Sequence, residues 1–209
     1  MRSLMPERSY TASTIQYLTH EELARLLSKI KSHRDRAIFT TAYYHGLRAS
    51  EVGRLNLVDW NQEGGRLRMR RVKGGDSFEY LVSDATRKAL LAWGKVRGNE
   101  PGPLFPSRRG SRPISRQTLH VLMRRYSELA GLPKEKSHFH VLRHSIATHM
   151  VETGIPMRQI QDWLGHRDLR STEIYAKVSP QARDATAELF YKGLEKKPRV
   201  SWKRDKRRS

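Results

Sequence analysis

Six polar side chains in this chain are of the types needed to break and remake a phosphodiester: Arg48, Lys73, His140, Arg143, His166 and Tyr175. Most lie in three short settings. The first is His45-Gly46-Leu47-Arg48-Ala49-Ser50-Glu51, the second His140-Val141-Leu142-Arg143-His144, and the third Leu164-Gly165-His166, with Tyr175 nine residues beyond His166. A tyrosine can hold a phosphate covalently until a new hydroxyl arrives. Its ordinary pKa of about 10 leaves roughly one molecule in a thousand ionised near neutral pH, so a neighbour must accept its proton. Attack on phosphorus builds negative charge on the non-bridging oxygens, and guanidinium groups suit that charge because they are planar, permanently cationic and donate in pairs. Two arginines and two imidazoles around one phosphate would stabilise the transition state without a metal ion. Singly, each of these residues would be surface charge or packing; together, in order, they form a chemical inventory.

The composition fits an anionic partner. Lys and Arg number 41 against 21 Asp and Glu, a formal charge of +20. That exceeds what solubility requires and points to an acidic polymer, nucleic acid before a membrane surface. No segment approaches the roughly 18 apolar residues of a spanning helix, and no N-terminal hydrophobic region suggests secretion, so a soluble, intracellular protein is expected. The chain has no cysteine, which excludes disulfides, zinc ribbons and thiol catalysis. His138, His140 and His144 lack a His-Glu-x-x-His arrangement, and no metal is expected there. His144 and His149 read as structural partners on their helix.

The elements that must position these residues are mostly helical. Residues 1–17 read as an extended or mobile leader. Thr19 and Glu22 fit a capping box ahead of Leu23, Leu26, Leu27 and Ile30 at helical spacing. A second helix is predicted over 34–45, with Gly46 ending it in the left-handed conformation, and a third from Ser50 with Val52 and Leu55. Residues 66–72 and 77–82 alternate as strands around Gly74-Gly75, a hairpin with Lys73 at the start of its turn. Further helices are predicted over 83–96, over 115–130 capped by Ser115, and over 140–153, 157–164, 171–176 and 180–194. The stretch 98–113 is a loop. The fold class is therefore mainly α with a small antiparallel β-sheet. Residues 18–194 form one domain, and 195–209 a basic tail belonging to a run of nine Lys or Arg from Lys192 onward.

Taken together, these settings resemble the catalytic domain of the tyrosine recombinases, the phage integrase family, over roughly Leu18 to Ser179. The resemblance implies the tyrosine recombinase catalytic-domain fold and a site-specific DNA recombinase that cleaves and rejoins strands through a 3′-phosphotyrosyl intermediate. By the same resemblance Arg48 is the first catalytic arginine, with Glu51 buttressing it, and Arg143 is the second. His140, on the same helical face as Arg143, manages the nucleophile's proton. Lys73 protonates the departing 5′-hydroxyl, with Arg70 and Arg71 as competitors, His166 donates to a non-bridging oxygen, and Tyr175 is the nucleophile. No cofactor is implied. Double-stranded DNA is the expected partner, met by a protein that is a monomer in free solution and a homo-oligomer on paired sites, in the cytoplasm and associated with the nucleoid. The apolar stripe Ala182, Ala185 and Leu189 would dock on a neighbouring protomer or on its own domain. Most family members carry an N-terminal DNA-clamping domain, whereas about 17 residues precede the first helix here, which resembles the short recombinases that invert fimbrial promoters or a piece of a longer protein. The helix over 115–130 carries Arg116, Gln117, His120, Arg124 and Arg125, types suited to major-groove contact or to a solvated basic face. Two rival readings are a catalytically silent DNA-binding regulator of the same fold and a type IB topoisomerase-like enzyme.

Overall fold

The computed structural model describes residues 15–70, 77–108, 112–165 and 170–176. The first helix, α1 (His20–Lys29), opens on the predicted box: the Thr19 hydroxyl accepts from the Glu22 amide at 3.2 Å and the Glu22 carboxylate accepts from the Thr19 amide at 2.8 Å. Leu23 and Leu26 form its buried stripe. In α2 (His33–Tyr44) the stretch Ala37 to Tyr43 is buried, as expected of a helix that is enclosed rather than laid on a surface. It packs between α4 (Asp84–Arg97) and α6 (Val141–Glu152). Its charged first turn is neutralised internally: Arg34 donates to Asp35, whose other oxygen accepts from the Tyr126 hydroxyl at 2.8 Å.

The third helix, α3 (Ala49–Val52), is a single turn, so Leu55 packs from the loop beyond it. The sheet has three antiparallel strands in the order β1 (Trp60–Asn61), β2 (Arg66–Arg70), β3 (Ser77–Leu81). Leu67 pairs with Trp60 on one side and Tyr80 on the other. Period-two alternation puts Leu67 and Met69 into the core and leaves Arg66 and Arg68 outside. The hairpin was legible from sequence, whereas β1, two residues long, was not. Helix α5 (Arg116–Leu129) is capped by Ser115, whose hydroxyl accepts from the Thr118 amide, and packs against α1. The short helices α7 (Met157–Leu164) and α8 (Arg170–Ala176) pack on α6 and on each other. The mainly helical class with a small antiparallel sheet is thus what the chain adopts.

Two apolar clusters share α6. Val141 and Leu142 belong to the large one, with α1, α2, α4, α5 and the sheet; Ala147 and Val151 belong to a smaller one with Ile15, Ile160, Leu164 and Tyr175. Ile15 is buried in that second cluster, and the Leu18 amide donates to Ser145 Oγ at 2.8 Å. Ile15, ahead of Leu18, therefore takes part in the packing. Lys73, His166 and the predicted helix over 180–194 lie outside the described residues.

Gly46 closes α2 in a Schellman arrangement: its amide donates to the Tyr43 carbonyl at 3.0 Å and the Leu47 amide to Ala42 at 2.9 Å. Its φ is 57°, and a Cβ there would lie 2.4 Å from Leu164 Cδ2. Gly94, inside α4, has nothing within 4 Å of an added Cβ. Gly46→Ala should therefore lower unfolding free energy by about 1–3 kcal/mol, through left-handed strain and overpacking. Gly94→Ala should be neutral or stabilising by up to about 1 kcal/mol. Urea unfolding of the two variants checks both signs.

Candidate active site

Arg143 sits on a face of α6 with no solvent contact at all, 0% exposed. A buried cation is tolerated only where its charge and its hydrogens are met. Its Nη1 donates to the Gly46 carbonyl at 2.6 Å and its Nη2 to the Leu164 carbonyl at 2.9 Å. Both carbonyls lie where a helix ends: Gly46 follows α2, and Leu164 is the last residue of α7, whose chain turns through the left-handed Gly165 at φ 64°. The Leu164 carbonyl lacks a partner within its helix and carries the negative end of its dipole, and the Gly46 carbonyl lies just past the α2 cap, so one guanidinium ties the two chain turns together.

A carboxylate joins this arginine to the other. Glu51, buried on α3, lies 4.0 Å from Arg143 Nη1 through Oε2. The same Oε2 accepts from the Arg48 amide at 2.8 Å, and Oε1 accepts from Arg48 Nη1 at 2.9 Å. Arg48 stands at the N-cap of α3 with extended backbone, and its side chain is 32% exposed. Two guanidiniums thus share one carboxylate, leaving this corner net positive.

Tyr175 reaches the same region from α8. Its ring belongs to the smaller apolar cluster and is 2% exposed, and its hydroxyl lies 3.0 Å from His144 Nδ1. The His140 ring, at the N-cap of α6, packs edge-on to His144 with centroids 4.5 Å apart. Burial pushes the Tyr175 phenol up to about 12, while the Arg143 and Arg48 charges pull it the other way. Burial first, then the His138 and Arg143 charges, drive His144 down to about 4. Burial and then the neighbouring His144, Arg143 and Arg48 drive His140 down to about 3. At neutral pH the site therefore holds a protonated phenol within hydrogen-bond distance of a neutral imidazole.

An aromatic wall supports the junction of α2 and α7. His45 stacks on Trp163 at 5.9 Å and 19°, Tyr80 meets Trp163 edge-on at 5.1 Å, and Trp163 Nε1 donates to the Tyr44 carbonyl at 3.1 Å. Of the six residues singled out from sequence, four converge here: Arg48, His140, Arg143 and Tyr175. Lys73 and His166 lie outside the described residues. His144, read as a structural partner, is the histidine in hydrogen-bond contact with Tyr175. The signal for it was present but ambiguous, since a residue four after His140 shares its helical face without revealing what crosses it. Trp163 carried no sequence signal beyond its place on an amphipathic helix. Glu51 is engaged by Arg48 and faces Arg143, so the setting suits an anion rather than a cation.

Comparison with known proteins agrees with this geometry. Residues 16–182 match the phage integrase family. The tyrosine recombinase XerA of Pyrococcus horikoshii is 35% identical over 164 residues, covering 78% of this chain and 56% of that protein. The type 1 fimbriae regulatory protein FimE of Escherichia coli K12 is 35% identical over 169 residues, covering 77% of this chain and 84% of that protein. A crystal structure of XerA recombinase superposes with a TM-score of 0.73 at 27% identity, over 85% of this chain and 65% of that one. The chain thus spans little more than half of one archaeal relative and most of the bacterial one. With two arginines, two histidines and a tyrosine gathered from α3, α6 and α8, and with this likeness over most of its length, the chain belongs to the phage integrase family.

Proposed function

We propose that this protein is a site-specific recombinase that cleaves and rejoins double-stranded DNA through Tyr175. The observation that carries the reading is the Tyr175 hydroxyl at 3.0 Å from a neutral His144, beside two arginines bridged by Glu51. In the reaction the phenolic oxygen attacks phosphorus, the O–P bond to Tyr175 forms, and the bond to the 5′ oxygen breaks. The phenolic proton goes to His144 or, in the role its motif implies, to His140; the departing 5′ oxygen takes a proton from Lys73. Arg48 and His166 stabilise the charge on the non-bridging oxygens, joined by Arg143 once its guanidinium is freed from the two carbonyls that hold it in the described state. Return of a 5′-hydroxyl from another strand reverses these steps and frees the tyrosine.

The described state is a resting one in this reading. A phenol that is 2% exposed has to leave its apolar packing to reach a backbone phosphate. Assembly of protomers on paired sites supplies the displacement, through the segment that follows α8. The strong positive charge brings the chain to DNA and sets a steep salt dependence.

On a nicked suicide substrate without added magnesium, the wild type should form a covalent adduct, and Tyr175→Phe should bind DNA without forming one. An undiminished adduct from that variant would sink the assignment. Relaxation of plasmid with no Holliday junction or recombinant product would favour the topoisomerase reading, and binding with no adduct from the wild type the regulator.

The two arginines should separate. Arg48→Ala should cut cleavage by about 10²–10³-fold with the fold retained, since its side chain is partly in solvent. Arg143→Ala should lose cleavage and also lower thermal stability, because it strands two buried carbonyls. Equal melting temperatures for the two variants would contradict the bridging role.

The histidines set the pH profile. His144 accepts a proton only when neutral, and its pKa is depressed from 6.5 to about 4. Adduct formation should therefore hold level as pH falls through 6.5 and decline only toward about 4. His144→Gln should slow single-turnover cleavage by about 10²–10⁴-fold, more than His140→Gln does if His144 is the acceptor. A wild-type decline centred near 6.5 would show that neither depressed histidine is the base.

A further inference from the structure

Away from Tyr175, the far end of α6 builds a second cluster of ligating side chains. His149 and Glu152 stand three residues apart on one face of that helix, and His20 opposes them from the first turn of α1. One ligand atom from each lies within 4.8 Å of the other two, and His20 Nε2 is 3.8 Å from Glu152 Oε2. The three line a cleft of about 350 Å³ together with Tyr17 and Thr19.

His149 is the built part of the cluster. It is 4% exposed, and its Nδ1 is held at 2.7 Å by the Tyr43 hydroxyl. Its Nε2 is buried and meets no hydrogen-bond partner of ordinary geometry, although the Leu18 backbone is close enough to act on the ring. For Nε2 to take a metal, Nδ1 would carry the ring hydrogen and donate it to the Tyr43 hydroxyl, the outer-shell role that orients a metal-bound histidine. The His20 ring stacks on it with centroids 3.8 Å apart and planes 19° apart, so the two rings can face one ion only after His20 turns out of the stack.

We propose that His20, His149 and Glu152 bind one divalent transition-metal ion, Zn²⁺ foremost, and so clamp the start of α1 to the end of α6. Two imidazoles and one carboxylate suit zinc rather than magnesium or calcium, which take all-oxygen shells. Tetrahedral bonds of about 2.0–2.2 Å put ligand atoms roughly 3.3–3.6 Å apart, so the cluster has to contract by about 1 Å. His20, whose side chain is 71% exposed, can supply that by rotating. Water completes the shell. The sequence reading weighed zinc at His138, His140 and His144; the ligating geometry is at the opposite end of the helix. None of the residues proposed for strand cleavage takes part, so adduct formation at Tyr175 is judged separately.

The test is a calorimetric titration of chelator-treated full-length protein with ZnCl₂, alongside thermal melts with and without the metal. The wild type should bind one Zn²⁺ per chain and melt several degrees higher. His20→Gln and Glu152→Gln should each weaken binding by at least about tenfold and lose the thermal shift, while melting like the wild type without metal. Co²⁺ in place of Zn²⁺ should give the visible absorption of a tetrahedral site, and both variants should lose it. Absence of one-to-one binding would overturn the proposal. So would unchanged affinity in both variants, which would place zinc on other histidines, or an equal thermal shift from MgCl₂.

Discussion

A single buried guanidinium holds the candidate site together. Arg143 ties the turn after α2 and the end of α7 to the first turn of α6, because it donates to the Gly46 carbonyl just past the α2 cap and to the terminal Leu164 carbonyl. Removing a cation from water costs several kcal/mol, and the cost is offset here by two short hydrogen bonds, the α7 helix dipole and Glu51 at 4.0 Å. The consequence reaches beyond the arginine. Gly46 must be left-handed for its carbonyl to face Arg143, and Leu164 must pack against Gly46 for the second carbonyl to arrive. Sites built this way are exact in position because their supports are also parts of the core.

Tyr175 obeys an opposite demand. Its ring contributes to the smaller apolar cluster, so the residue proposed as nucleophile also stabilises the packing of α8. Burial raises its pKa to about 12, which disfavours the phenolate that attack requires, and the arginine charges offset only part of that. The protein therefore keeps the group unreactive while it is packed. Exposure to a phosphate beside two cations would remove the desolvation cost and strengthen the opposing term at once.

Local rules made much of this legible. Thr19 with Glu22, Ser115 and Gly46 act on nearby backbone groups, and the structure places each where its chemistry predicts. The hairpin followed from alternation, since Leu67 and Met69 must face one way. What sequence could not reveal were relations across the chain. His144 meets Tyr175 across 31 residues, and nothing in the helical period of α6 tells which of two histidines on its face will receive α8. Ile15 was grouped with a mobile leader because it precedes the first periodic segment, yet it fills a gap in the smaller cluster. Strand β1 has two residues and no period to detect. The apolar pattern of the third helix extended to Leu55, but a single turn sufficed because Leu55 reaches the core from the loop.

The same charge that draws the chain to an anion works against its own fold. A formal charge of +20 is self-repelling, and the site concentrates the problem, since Arg48 and Arg143 share the Glu51 carboxylate. The arrangement distributes the strain unequally. Arg143 is neutralised by dipoles and closed off, whereas Arg48 keeps 32% of its side chain in solvent with one guanidinium edge on Glu51. A phosphate arriving at that open edge would supply the missing negative charge, so binding relieves a repulsion already present rather than creating a new attraction from neutral parts. That is the sense in which the site is organised before its substrate: the carboxylate fixes where the arginines stand, and the deficit it leaves sets the sign of what fits between them.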